Sequence, residues 1–406
     1  MKFIAIADSD SYLKWAAAFL GALPQVTERE LVLVETPVLP SESQRAAALA
    51  VGGVDPEHLL CLPLQDVLVA LRRERPDAVL IALRGPVAAV LIRMIAELPV
   101  RPVIVTGLPG ISIPATRKAL AFRRQADLFV LHSRREIREF TRLSRENGWT
   151  HRFALATLPF VEERTGVAGD DLVFAAQAVV PRVRDDRQRL LGILMNAARA
   201  DHSRRVVIKL RGLAGERQTH DEHASFPELL EEARAAGTDI PDNLVISTAP
   251  MSTALDTAQG LLTVSSTAAI EAIARGIPVI ALDTFGVSDK LINPVFEGSG
   301  LFGGEEAVAR REFRHPEPAW LADNYFHTVE SDDVAVQLQA LVAARKQGVL
   351  PAREPARRAG GKLRLAWDRK RAFGDADRTV SGVVALAVGT PARATVKAAR
   401  KVKRAL

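Results

Sequence analysis

Three side-chain hydroxyls lie between a short apolar run and a helical segment, a spacing suited to holding an anion. Residues 261–264 are apolar enough to form a strand that is buried on both faces of a parallel sheet. Ser265, Ser266 and Thr267 follow at once, and residues 268–275 contain strong helix formers. The free N–H groups of the first helical turn would point outward beside these hydroxyls, so the pattern predicts a phosphate site. An ordinary strand–helix–strand unit with a serine N-cap is the alternative interpretation.

Two cations and a histidine follow another apolar run. Lys209 and Arg211 are two residues apart, which puts both on one face of an extended segment. Close to the hydroxyls, they would neutralise phosphate charge and stabilise a leaving phosphate. His220 either protonates or binds that phosphate, or has no role. With His223 as its neighbour it offers too few ligands for a stable zinc site, so no metal site is predicted.

Carboxylates follow two further apolar runs. Asp8 and Asp10 come after residues 2–7, where either could bind an acceptor hydroxyl or act as its general base, and Asp10 could equally cap the next helix. Asp283 follows residues 279–282 and could position a donor or an acceptor. In open α/β sheets, ligands bind just beyond the carboxyl ends of the strands. All of these side chains are therefore candidate site residues.

Apolar runs alternate with helix-forming segments along most of the chain, which predicts a parallel, doubly wound α/β fold. Residues 1–165 show the alternation once, with a linker near residues 159–170, and residues 166–346 repeat it. At 406 residues, two domains are the natural expectation. The sequence therefore predicts two Rossmann-like domains with a cleft between them, and residues 332–346 as the last helix of the second.

The segment SSTAAIEAIARGIPVI, residues 265–280, resembles the donor site of glycosyltransferases that have two facing Rossmann-like domains, the GT-B architecture. It is most similar to capsule-polysaccharide, polysialyl and glycerol-phosphate transferases, and more loosely similar to nucleotide-sugar 2-epimerases. The resemblance implies that Ser265, Ser266 and Thr267 hold the donor phosphates and that Glu271 binds the ribose. It also implies an N-terminal domain on the acceptor side and a C-terminal domain that binds the nucleotide.

By this resemblance, we expect an enzyme that transfers a sugar or polyol phosphate from a nucleotide-activated donor to a surface-polysaccharide or lipid-linked acceptor. The donor would be a substrate rather than a tightly bound cofactor, and a magnesium ion held mainly by its phosphates is compatible with the motif. The chain has Thr219-His220 where those transferases have a His-Pro pair, so the role of His220 stays open. The alternatives are a nucleotide-sugar 2-epimerase, which needs no acceptor, and a non-catalytic scaffold of the same fold at a membrane.

Charge is distributed unevenly along the chain. Residues 345–406 contain 17 lysines and arginines against 4 acidic residues, a net charge of +13; the whole chain carries +6, which leaves −7 for residues 1–344. We interpret residues 347–406 as a basic tail, either solvated and partly disordered or attracted to an anionic membrane surface. No nucleic-acid-binding fold is recognised, so nucleic acid is not an expected partner.

No targeting signal is recognised in the sequence, which favours a cytoplasmic protein. The N-terminal apolar run is five residues long and meets Asp8, too short for a signal peptide. No apolar stretch reaches the roughly 18 residues that a membrane helix needs. The single cysteine excludes an intrachain disulfide. We therefore expect a cytoplasmic location, with peripheral attachment to the inner face of the membrane as an option through the basic tail.

Overall fold

The structure, a computed structural model, describes residues 1–55, 57, 59–159, 169–210, 224–354 and 360–390. These residues form two parallel β-sheets with helices packed on their faces, which confirms the α/β fold with two Rossmann-like units. Most of the predicted linker near residues 159–170 lies outside the described residues.

The first unit is built on a seven-stranded sheet within the described residues. Its strands are β1 (Lys2–Ala7), β2 (Glu28–Val34), β3 (Leu59–Leu62), β4 (Ala78–Ala82), β5 (Val103–Gly107), β6 (Leu128–Leu131) and β7 (Phe153–Leu155). The helices are α1 (Asp10–Gly21), α2 (Glu42–Val51), α3 (Leu64–Glu74), α4 (Gly85–Ala96), α5 (Arg117–Phe122) and α6 (Arg134–Glu146). The strand order is β3-β2-β1-β4-β5-β6-β7, so the chain reverses direction across the sheet after β3.

The second unit has a six-stranded sheet in its described part. Its strands are β8 (Asp171–Ala175), β9 (Val206–Lys209), β10 (Leu244–Ser247), β11 (Ala258–Thr263), β12 (Val279–Leu282) and β13 (Phe302–Gly303). The helices are α7 (Arg184–Ala200), α8 (Phe226–Ala235), α9 (Met251–Asp256), α10 (Ala268–Ala274), α11 (Glu305–Ala309) and α12 (Pro318–Asp323). The order β10-β9-β8-β11-β12-β13 repeats the reversal of the first sheet.

Both faces of each central strand are buried, which explains the continuous apolar runs in the sequence. In β1, Phe3 and Ala5 belong to the core on one face of the first sheet, whereas Ile4 and Ile6 belong to the core on the other. An alternating polar pattern would expose a polar row to one of these cores. The second sheet is covered in the same way on its two faces.

Helices α13 (Val334–Lys346) and α14 (Gly361–Phe373) pack on the first unit, which differs from the expected arrangement. The sequence predicts residues 332–346 as part of the second domain, but Leu338 and Val342 of α13 are buried in the core of the first sheet. Likewise α14, in the expected solvated tail, buries Phe373 against that sheet's other face. An amphipathic pattern shows that a helix has an apolar face but not which sheet covers it. None of the described helices is long and apolar enough to cross a bilayer.

A buried carboxylate holds the returning chain on the first unit. The Asp127 side chain is fully buried and accepts hydrogen bonds from Arg101 Nη1 at 2.6 Å and Arg353 Nε at 2.8 Å. The backbone N–H of Ile104 donates to it as well, at 2.8 Å. Because Arg353 follows α13, this cluster ties the segment between α13 and α14 to β5 and β6.

Asp127→Asn should therefore destabilise the protein strongly. The substitution leaves two arginines without their carboxylate, and breaking a buried ion pair costs about 3–5 kcal/mol. The measurement is the free energy of unfolding in urea. Glu146→Gln, which breaks the exposed pair between Arg142 and Glu146, is the control and should change that free energy little. Equal effects of the two substitutions would contradict the role of Asp127 in holding the segment between α13 and α14.

Candidate functional site

Loops from the two units meet at the carboxyl ends of their strands. Gly110 follows β5, and a Cβ atom added to it would lie 2.8 Å from Oγ1 of Thr267, just before α10. Nζ of Lys14, on α1, lies 3.5 Å from Oε1 of Glu271, on α10. The predicted donor segment therefore faces the first unit, and the cleft between these loops is the candidate site.

The three hydroxyls of the donor segment have different surroundings. Ser265 donates from its backbone N–H and its hydroxyl to Oε1 of Gln177, at 3.0 and 3.2 Å. The Ser266 hydroxyl accepts from the N–H of Ala268, the first residue of α10, at 3.2 Å. Thr267 makes no capping hydrogen bond and remains partly exposed. The first two hydroxyls shape the turn, and Thr267 is the one that faces the cleft.

The strand order brings the other donor-side residues to the same edge of the second sheet. Lys209 ends β9 and Asp283 follows β12, while β8 and β11 lie between them. Lys209 is only 6% exposed, and its ammonium group donates to the carbonyl of Leu210. Asp283 is partly exposed. Arg211 and His220 lie outside the described residues, so the predictions made for them remain predictions.

On the first unit, the carboxylate of Asp8 is committed to an ion pair. Asp8 is fully buried; its Oδ2 accepts from Nε of Arg84 at 2.8 Å and its Oδ1 from the Arg84 backbone N–H at 3.2 Å. Burial raises the pKa of the Asp8 carboxyl, and the Arg84 charge opposes that rise. Asp10, the first residue of α1, is partly exposed. Of the two predicted carboxylates, Asp10 is thus the accessible one, and Asp8 holds Arg84 at the end of β4.

A buried histidine, His132, packs inside the first unit near the cleft. Nε1 of Trp15 donates to Nε2 of His132 at 2.8 Å, so the ring proton must lie on Nδ1, which is 2.8 Å from the carbonyl of Ala156. His132 is fully buried, and burial lowers its pKa. Both ring nitrogens are used to hold the neutral ring between β6, β7 and α1. His132 is therefore a packing element rather than a free acid or base.

Several residues at the cleft were not found by sequence reasoning. Arg84 lies two residues after the buried strand β4, so the rule that ligands bind just beyond strand ends could have selected it. Gln177 follows β8, a strand whose carboxyl end was not considered. Lys14 has no local signal, because its contact with Glu271 spans 257 residues. Long-range partners of this kind follow from the docking of the two units and not from spacing.

Two Rossmann-like units that face each other across a cleft define the GT-B class of proteins. Within that class the chain belongs to a glycosyltransferase family: residues 3–341 match the family model described as "Putative glycosyltransferase (DUF6716)". A search of curated proteins finds no match to the sequence. The match extends over both sheets and into α13, which confirms the resemblance to GT-B glycosyltransferases.

Solved structures of low sequence identity share the fold. The UDP-GlcNAc 2-epimerase from Methanocaldococcus jannaschii has a TM-score of 0.56 at 12% identity, with 84% of this chain and 99% of that chain covered. MnaA from S. aureus, in a co-structure with UDP, has a TM-score of 0.50 at 14% identity, with 88% and 100% covered. The spinosyn rhamnosyltransferase SpnG, complexed with thymidine diphosphate, has a TM-score of 0.44 at 13% identity, with 86% and 99% covered. The similarities to the epimerase and to MnaA concern the fold alone.

The neutral state of His132 predicts a pH dependence of stability. A histidine has a pKa near 6.5 when unfolded, and burial lowers it in the folded protein, so the unfolded chain binds an extra proton below about pH 6.5. His132 should therefore contribute its full stabilisation above that pH, and lose up to about 1.4 kcal/mol per pH unit as the pH falls below it. Burial lowers the pKa of His151 too, so the wild type should show the contribution of both.

Urea unfolding from neutral to mildly acidic pH measures the slope of the free energy of unfolding against pH. The amide of His132→Gln can replace both hydrogen bonds. In this variant the free energy of unfolding should fall less steeply with falling pH, because one of the two histidines with a lowered pKa is gone. His315→Gln, at an exposed position, is the control and should keep the slope of the wild type. A His132→Gln slope equal to that of the wild type would refute the assignment of a neutral buried ring.

Proposed function

We propose that the protein transfers a sugar or polyol phosphate from a nucleotide-activated donor to a surface-polysaccharide or lipid-linked acceptor. The observation that carries the proposal is the match to a glycosyltransferase family over residues 3–341, which includes both walls of the cleft. A lipid-linked acceptor lies at a membrane surface, so the proposal includes peripheral attachment to an anionic membrane.

On the donor side, the hydroxyl turn and α10 would bind the nucleotide. The Thr267 hydroxyl would contact the donor phosphates, and Glu271 would accept from the ribose hydroxyls. Nζ of Lys14 lies 3.5 Å from Oε1 of Glu271 across the cleft. Donor binding at Glu271 would therefore depend on how close the two units are to each other. Lys209, together with Arg211, would neutralise the leaving phosphate. UDP in the MnaA co-structure makes nucleoside diphosphates the first ligands to test.

On the acceptor side, Asp10 would act as general base. For a sugar donor, Asp10 takes the proton of the acceptor hydroxyl while the acceptor oxygen bonds to the anomeric carbon. The bond from that carbon to the phosphate oxygen breaks, and its electron pair leaves with the nucleotide, whose charge the donor-side cations stabilise. His220 is the candidate for protonating or binding the departing phosphate, and Asp283 for positioning the ligands. Arg84, held by Asp8, would orient the acceptor.

The donor site predicts that one nucleotide stabilises the protein and that Thr267→Val abolishes the effect. A ligand at 100 times its dissociation constant adds about 2.7 kcal/mol of stability, which a melting curve resolves. The experiment compares Tm with CMP, CDP, UDP, GDP and ADP. Thr253→Val, at an exposed threonine of the same unit, is the control and should retain the shift. If none of the nucleotides shifts the wild type, the donor site is wrong and the scaffold interpretation is favoured.

The role of Asp10 predicts a loss of turnover without a loss of donor binding. Asp10→Asn should lower kcat about 10²–10⁴-fold, the usual contribution of a general base, and leave the nucleotide-induced Tm shift unchanged. Asp66→Asn removes the acidic residue from the first turn of α3, the counterpart of Asp10 in α1, and should leave activity unchanged. The measurement is product formation from the nucleotide sugar with acceptor. An altered sugar formed without acceptor would instead identify a 2-epimerase.

A further inference from the structure

Residues 380–390 form a helix that presents its branched apolar side chains to the outside. Val380, Val383, Val384 and Val388 recur at helical spacing and are 79%, 54%, 50% and 54% exposed. Ala385, on the opposite face, is fully buried. The helix is therefore inverted relative to an ordinary surface helix, whose branched apolar residues face the core.

Close packing against α14 sets this orientation. Ala385 packs in one cluster with Ala366 and Trp367. A Cβ atom added to Gly389 would lie 2.6 Å from the Trp367 ring, so only a very small residue fits there. Rotating the valines inward would push larger side chains into this contact. The exposed valine face is thus a consequence of a well-packed inner face.

The sequence around this helix is rich in positive charge. Residues 391–406, which follow it in the sequence, include six lysines and arginines and no acidic residue. Within α14, five basic residues accompany one acidic residue. A second copy in a two-fold contact would bring the same positive charge against itself. An apolar surface with a negative rim complements both features, and an anionic lipid bilayer has that chemistry.

We propose that the helix of residues 380–390 is a docking surface for an anionic lipid membrane. The valine face enters the boundary between headgroups and acyl chains, and the lysines and arginines of α14 contact the anionic headgroups. The apolar run of residues 380–388 is too short to span a bilayer, so the helix lies in the membrane plane. This inference deepens the proposed function and rests on it in one respect, because a lipid-linked acceptor would lie on the same membrane.

Sedimentation of the full-length protein with vesicles tests the proposal. Phosphatidylcholine vesicles that contain phosphatidylglycerol should bind the wild type, phosphatidylcholine vesicles should bind it far less, and high salt should weaken the binding because it screens the charges. The double variant Val383→Asp, Val384→Asp should bind about tenfold or more weakly, since two apolar contacts are lost and two negative charges are added. Both positions are exposed, so the fold should be retained.

A matched control carries the same changes on exposed valines elsewhere. Val69→Asp with Val336→Asp, at positions 56% and 69% exposed on α3 and α13, should bind vesicles as the wild type does. Equal binding by the helix variant and the wild type would overturn the proposal, as would no binding of the wild type to anionic vesicles. A dimer in sedimentation velocity that the helix variant abolishes would show a second copy as the occupant. The nucleotide-induced Tm shift, measured on the same proteins, reports separately on the proposed enzymatic function.

Discussion

The arrangement of the two units depends on one buried carboxylate, that of Glu136 on α6. It is fully buried and accepts three hydrogen bonds: from the N–H of His132 at 2.9 Å, the N–H of Ser112 at 2.9 Å and the hydroxyl of Tyr325 at 2.6 Å. A buried charge must be fully hydrogen-bonded to be tolerated, so its three donors are held in fixed positions. Burial and the neighbouring Glu136 charge raise the pKa of Tyr325 well above its usual range, which keeps the hydroxyl a donor. Because Tyr325 follows α12, satisfying this carboxylate joins the second unit to the first.

The same helix carries further contacts across the boundary. Arg135 donates to the carbonyls of Pro294 and Val295, and Arg138 forms an ion pair with Asp323. The candidate site residues differ in burial. Asp8, Ser265 and His132 are buried and engaged in structural hydrogen bonds or ion pairs, whereas Asp10, Thr267, Glu271 and Asp283 are partly exposed. The partners of Asp8, Ser265 and His132 lie in the same unit as these residues, so each unit holds its own buried polar groups in place.

Much of this architecture could be predicted from the sequence, because the determining signals are local. Residues 2–7 and 279–282 were predicted as strands with the bounds that β1 and β12 have. A short apolar run between polar residues is typical of a strand buried on both faces. The short edge strand β3 was missed, although its four residues are all apolar. Periodicity carries no information about long-range packing. That packing determines which sheet α13 and α14 cover, and it produces the Lys14–Glu271 contact and the Asp8–Arg84 pair.

The packing of the last helices connects the proposed docking surface to the proposed chemistry. Helix 380–390 packs on Trp367 of α14, and Phe373 of α14 is buried in the core that also contains Val87 and Leu91 of α4. Helix α4 begins directly after Arg84, the arginine that Asp8 holds at the cleft. A membrane bound at residues 380–390 would therefore be linked through two packed helices to the first unit rather than to the second.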